Sequence, residues 1–334
     1  MIDNLIELKD QMKYLVLYIF LLASVTACKQ DNLKIPDTGR KIVINGFITT
    51  DSLLSVAISK SAFINYNSLY ADTILKPLNN AKVCVYPDNT GIDSLFNTKQ
   101  NQTWFHFGNY KSKSIFPVPG KFYKIEAKSP GLPDATGTTT IPNPVRIEHI
   151  DSSRFISSDP NIPWNLNMKF NIEFTDPANE TNYYLFNIWK TPNTNNYNNL
   201  TFNCNDPIVE ERLDYLSTHN YVVTNTNWPF LGIAFTDKII NGEKYSLTVT
   251  VLGTDIGKPF YNNGDIPNAH KKTLYFRLYS ITEECYRYIH TLNLYNQNYG
   301  NPMANSVTVY SNINGGYGIF TGASVSTDSI VFKY

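Results

Sequence analysis

From Lys41 onward, apolar and polar side chains alternate with a period of two in short runs closed by Gly, Pro, Asn and Asp, the pattern of half-buried strands. KIVIN opens the series. In LLSVAIS, Leu54, Val56 and Ile58 share one face; in AKVCVYP, Val83 and Val85 face away from Lys82 and Tyr86. WFHFGN and KFYKIEA continue it, the latter setting Tyr123, Ile125 and Ala127 opposite Phe122, Lys124 and Glu126. Asn45-Gly46, Pro119-Gly120 and Pro130-Gly131 read as punctuation. Two prolines in Ile141-Pro142-Asn143-Pro144 cannot serve a central ladder, so a domain boundary is expected there.

Beyond it, NLNMKFNIEFTDP alternates Met168, Phe170, Ile172 and Phe174 with polar partners, and NYYLFNIWK is apolar on both faces, as in a strand covered on both sides. IAFTDKII and KYSLTVTVLG read as strands joined across Asn241-Gly242, a hairpin dipeptide. The period then changes. Cys285, Tyr288, Ile289, Leu292 and Tyr295 fall at helical spacing, Thr282 can cap the start, and Gly300 with Pro302 closes the end, predicting a helix over 282–299. SVTVY and SIVFKY return to strands around the glycine-rich SNINGGYGIF. The fold expected is mainly β: two β-sandwich, immunoglobulin-like domains over 40–142 and 143–334, the second with one packed helix.

The N-terminal pattern is different in kind. Lys13 precedes the unbroken apolar run Tyr14 to Leu22, and Val25-Thr26-Ala27-Cys28 brings small residues up to a cysteine. An apolar core of about 12 residues is too short for a bilayer that needs about 20, and reads as an export signal with a small-residue cut site. The last four positions look like a lipobox, with cleavage after Ala27 and a diacylglycerol on Cys28. Residues 1–27 are then a signal peptide, of which Met1 to Gln11 reads as an extension ahead of a start at Met12. One acyl chain binds a membrane marginally and two hold durably, so the product is anchored without spanning. Residues 28–39, polar and with Pro36, read as a tether reaching about 40 Å when extended.

Composition narrows the function classes. Aromatics at 14%, with 23 Tyr, supply ample core, while only 17% of residues are charged and the formal net charge is zero. That balance argues against nucleic acid, whose binding needs clustered Lys and Arg. Cys84, Cys204 and Cys285 have no zinc-site spacing. They read either as buried thiols or as one disulfide with a spare.

No GxSxG, HExxH, phosphate-cradling GxxxxGK or Rossmann GxGxxG occurs, and the five His are scattered. No catalytic residue, cofactor or metal is therefore assigned. Asp176, Asn179 and Glu180 supply oxygen ligands, yet a turn capped by Asp before Pro uses the same residues. In the glycine segment, Asn312, Tyr317 and Phe320 are candidate contacts for a ligand or partner; the aromatics can stack on a sugar or peptide, or fill the core while the glycines turn the backbone.

Several of these pieces, taken in order, resemble one family. The lipobox, KIVINGFITT, AKVCVYPDN, VPGKFYKIEA, TDPANETNYYLF, ITEECYRYIHTL and VYSNINGGYGIF are similar to the domain-of-unknown-function 4249 family of Gram-negative lipoproteins. The resemblance implies a lipid-anchored outer-membrane protein, on the periplasmic or the surface face, often beside a TonB-dependent transporter. A non-enzymatic binding or accessory role in nutrient capture is expected from it. The alternative is a structural or adhesive cell-surface module.

Overall fold

The computed structural model describes residues 39–61, 76–98, 108–156, 166–190, 198–200, 202–213, 232–252, 271–298, 301 and 303–333. The chain divides into Met1–Gly39 and Arg40–Tyr334, and all described residues except Gly39 belong to the second unit. The expected signal, Ala27, Cys28 and most of the tether lie outside the described residues, as do residues 104–107 of WFHFGN.

Along the chain come β1 (Ile42–Thr49), β2 (Ser55–Lys60), β3 (Lys76–Pro77), β4 (Lys82–Pro87), β5 (Asp93–Ser94), β6 (Phe96–Asn97), β7 (Tyr110–Lys111), β8 (Phe122–Lys128) and β9 (Ala135–Thr140). Then follow β10 (Ile147–Ile156), β11 (Leu166–Thr175), β12 (Tyr183–Lys190), β13 (Asn198–Asn199), β14 (Glu211–Leu213), β15 (Gly232–Thr236), β16 (Lys244–Leu252) and β17 (Lys271–Ile281). Helix α1 (Glu283–Asn298) precedes β18 (Tyr317–Lys333). The fold is mainly β, of sandwich type, with one helix among the described residues.

An eleven-stranded sheet runs β14-β15-β12-β17-β18-β1-β2-β7-β6, with β13 on β12 and β3 on β2. Two smaller sheets, β5-β4-β8-β9 and β10-β11-β16, complete the β structure. The 17 residues of β18 extend about 56 Å, enough to serve two cores in turn. Its even-numbered side chains face them: Phe320 packs with Ile44, Val56, Val85 and Ile125, while Phe332 packs with Phe170, Val249 and Phe276. Its odd-numbered Ile319 and Ala323 lie on the opposite face under α1, with Cys285, Tyr288 and Ile289. Burying a side chain of Phe or Ile size contributes about 1.5–3 kcal/mol, so both cores depend on this strand.

Strands from both sides of the Ile141–Pro144 break therefore share one sheet. Ile141 belongs to the first core and Val145 to the second, so the chain changes cores within the proline segment. Serines on the shared sheet fix the crossing: the Val145 N–H donates to Ser280 Oγ at 3.1 Å and the Ile147 N–H to Ser326 Oγ at 2.9 Å. The position expected for a domain boundary lies inside one compact unit, Arg40–Tyr334, whose two inter-sheet cores and helix-covered cluster all take residues from β18.

The helix starts where Thr282 caps it, its Oγ1 accepting from the Cys285 N–H at 3.2 Å. Tyr295, expected on the buried stripe, is 40% exposed. Three further expectations are corrected. IAFTDKII and KYSLTVTVLG do not form a hairpin: β15 pairs with β12 and β14, and β16 with β11 in another sheet, because the Asn241–Gly242 turn carries the chain between layers. Ser306–Tyr310 is no strand; it docks on the helix, with the Tyr310 N–H donating to Thr291 Oγ1 at 2.8 Å and the Arg287 guanidinium 4.3 Å over the Tyr310 ring. Asn45-Gly46 sits inside β1, where a Cβ on Gly46 would lie 2.8 Å from the Phe320 ring.

Candidate functional site

The glycine segment before β18 carries the candidate ligand or partner contacts Asn312, Tyr317 and Phe320, and its geometry explains the residue types. A Cβ on Gly315 would lie 2.1 Å from the Asp134 carbonyl oxygen, on Gly316 2.5 Å from that of Ile42, and on Gly318 2.1 Å from that of Ile44. Gly315 and Gly318 also hold φ of 73° and 104°, which side-chain-bearing residues avoid. These three glycines let the backbone pass close to β1 on one side and to the start of β9, in another sheet, on the other, and β18 then pairs with β1 in parallel from Val43↔Tyr317 to Thr49↔Ala323.

Asn312 closes the same turn. Its Oδ1 accepts from the Phe320 N–H at 2.9 Å, and its Nδ2 donates to the carbonyls of Phe320 at 2.8 Å and Thr138 at 3.2 Å. With both amide ends committed to backbone, Asn312 works as a clamp. Phe320 is fully buried in the first core. Tyr317 alone of the three candidates presents its ring to solvent, 42% exposed, with the Lys41 ammonium 5.0 Å from the ring centroid. The structure thus brings the three together in chain but not around one site.

A second polar assembly centres on Arg277, which no sequence motif marks. Arg277 is 5% exposed on the helix-side face of β17. Its guanidinium lies 4.0 Å from the Trp189 ring and 5.0 Å from that of Tyr279, and its Nη2 donates to Asp51 in the turn after β1. Phe47 packs on Tyr279 with centroids 5.7 Å apart, and burial pushes the Tyr279 hydroxyl up to about 12. The assembly straps the β1–β2 turn across β18 onto β17, since Thr50 Oγ1 also accepts from the Val325 N–H at 3.3 Å. The available signal was a single Arg within the alternating run KKTLYFRLYSI, on the face opposite Leu274, Phe276 and Leu278.

Asp176, weighed as a cation ligand, is buried and accepts from the Tyr184 hydroxyl and from the Gly242 N–H at 3.0 Å. Burial is the main reason its carboxyl stands above the ordinary value; donation by Tyr184 and Gly242 opposes the rise, and the charges of Asp237 and Glu180 add to it. Asp237 accepts from the Asn182 N–H at 2.9 Å and from Asn241 at 3.2 Å, and Asn241 also donates to the Glu180 carbonyl at 3.1 Å. Asn179, at φ 70°, takes part through its N–H to Asn241 Oδ1 at 3.3 Å. These contacts bind the turn after β11 to the turn before β16.

Cys84, Cys204 and Cys285 are buried, reduced thiols. Cys204 Sγ donates to the Thr248 carbonyl at 3.3 Å, and burial pushes the Cys285 thiol well above the usual range. His149 lies exposed beside Asp151 at 2.9 Å.

No functionally curated protein matches the chain. A family model described as a domain of unknown function, DUF4249, matches residues 30–329. With nearly the whole folded unit inside that match, the chain belongs to the DUF4249 family.

Proposed function

We propose that the chain is a non-enzymatic lipoprotein of the outer membrane, held by acyl chains on Cys28 and acting as a binding or accessory component beside a TonB-dependent transporter in nutrient capture. The observation that carries the anchor is Val25-Thr26-Ala27-Cys28, placed after an apolar core too short to span a bilayer and before a polar tether. The first strand opens soon after, at Ile42. The accessory role takes its support from the family resemblance. It also fits the structural use of the buried polar groups described above: Asp176 joins two turns, Arg277 straps a hairpin, and the three thiols are buried.

Two measurements test this reading. Mass spectrometry of the native N-terminal peptide should find Cys28 as the first residue and acylated; a bare thiol with the leader attached removes the anchor. Purification from detergent-solubilised outer membranes should carry a stable transporter partner. Its absence, together with altered cell adhesion in a deletion strain, would turn the reading to a structural or adhesive module.

A further inference from the structure

The end at which the chain enters the folded unit collects cations. Arg40 is exposed there, and Lys41 precedes β1. Lys60 ends β2 opposite Ile42, and Lys82 starts β4 opposite Lys128. The glycine turn closes the same end, because Gly315 abuts the Asp134 carbonyl and Gly316 that of Ile42. Tyr317 opens β18 beside them, with the Lys41 ammonium over its ring.

The charges there do not balance. Lys128 is neutralised by Asp134 and Glu126, each at 3.1 Å. Arg40, Lys41, Lys60 and Lys82 have no ion-pair partner among the described residues. Among the described residues, five cations against two carboxylates leave about three net positive charges at one end of a chain with 28 basic and 28 acidic residues overall, and so a local positive field. Screening over about 8 Å at physiological salt keeps it confined to that end.

We propose that this end rests on the anionic headgroups of the leaflet that holds Cys28, an inference that builds on the lipid-anchor reading. An anionic lipid surface fits by charge, by the half-exposed Tyr317 ring suited to a membrane–water boundary, and by the chain's course, since the tether meets the unit at Arg40. The tether reaches about 40 Å at most, so the anchor keeps this end at high effective concentration near the lipid and weak contacts suffice. Each cation near such a surface strengthens binding about fivefold.

The test uses the purified acylated protein inserted into two kinds of vesicle, phosphatidylcholine alone and phosphatidylcholine with 30% phosphatidylglycerol (about one headgroup in three anionic, a typical surface for such attraction). Lysines are acetylated by a water-soluble reagent and read by mass spectrometry. Acetylation of Lys41, Lys60 and Lys82 is expected to slow about fivefold or more on the anionic vesicles and to recover in high salt, while Lys121 and Lys244, paired elsewhere with Asp88 and Glu173, react equally on both. Lys60→Glu with Lys82→Glu should restore acetylation of Lys41. Equal rates on the two vesicles, or protection untouched by the double substitution, overturn the proposal. Failure here leaves the anchor standing, because insertion itself reports the acyl chains.

Discussion

Gly318→Ala is expected to be among the most damaging single-methyl additions to the molecule. The new Cβ would sit 2.1 Å from the Ile44 carbonyl oxygen and 2.8 Å from Asn45 Oδ1, where ordinary contact begins at 3.4 Å. The β1 and β18 backbones must therefore part by about 1 Å, which takes an N–H···O bond near 2.9 Å beyond hydrogen-bonding range. Losing about two ladder bonds costs about 1 kcal/mol each. The backbone adds strain: φ at 104° costs a side-chain-bearing residue about 1–3 kcal/mol. The sum is about 3–5 kcal/mol, a large share of the 5–15 kcal/mol typical of a folded protein.

Gly120→Ala supplies the control. Gly120 holds φ at 78° with nothing within 4 Å of its would-be Cβ, so it carries the strain alone, about 1–2 kcal/mol. Urea denaturation followed by tryptophan fluorescence would compare the two variants with the parent at equal slope. A midpoint for Gly318→Ala within error of that for Gly120→Ala would refute the steric argument and leave only conformational strain.

Three further outcomes are expected. Asp51→Ala leaves the buried Arg277 guanidinium without its carboxylate and should cost about 2–4 kcal/mol, below a fully buried pair because Asp51 is partly exposed, while the near-isosteric Arg277→Met costs less; equal losses in thermal denaturation would refute the strap. Because the folded-state pKa of Asp176 is raised, its contribution to stability is complete below the ordinary carboxylate value near 3.8 and is lost as pH rises through the raised value. Asp176→Asn should therefore flatten the dependence of the denaturation midpoint between that value and neutrality, and an unchanged profile would count against the raised value. Cys84, Cys204 and Cys285 should resist a thiol reagent in the native protein and all react on unfolding; two thiols missing from the unfolded titration would reveal a disulfide.

Strand existence was legible wherever one face is buried and the other wet. Tyr123, Ile125 and Ala127 in β8 and Met168, Phe170, Ile172 and Phe174 in β11 are buried as their alternation predicts, since period two is enforced by the pleat. Partner choice was not legible. The Asn241–Gly242 turn has hairpin chemistry, yet Gly242 is needed because a Cβ there would meet Ala178 at 2.9 Å, a contact between segments distant in sequence. β18 was half hidden for the same reason: Thr321, Gly322, Ala323 and Ser324 are buried but carry little apolar signal, their small size being set by neighbours such as Ile141, whose side chain would lie 2.5 Å from a Cβ on Gly322. At the candidate site, the glycines and Asn312 were visible as unusual residues, but their purpose was not, because the carbonyls they approach belong to β1, to β9 and the residue before it, and to β18. Arg277 gave little away, as its partner Asp51 lies 226 residues earlier.

The parallel pairing of β1 with β18 determines what can fold when. The first core is built mostly from residues 42–141, but Ile313 and Phe320 complete it, and β1 has β18 as its second neighbour in the sheet. Without the C-terminal strand the first half would expose one edge of β1 and leave a phenylalanine-sized void, at a cost of about 3–5 kcal/mol for the void alone. The second core is equally dependent, since Phe332 comes from the same strand. The proline break at 141–144 thus marks where the chain steps between cores, and the long-range pairing that closes both makes them one cooperative unit, of the non-local kind that folds slowly.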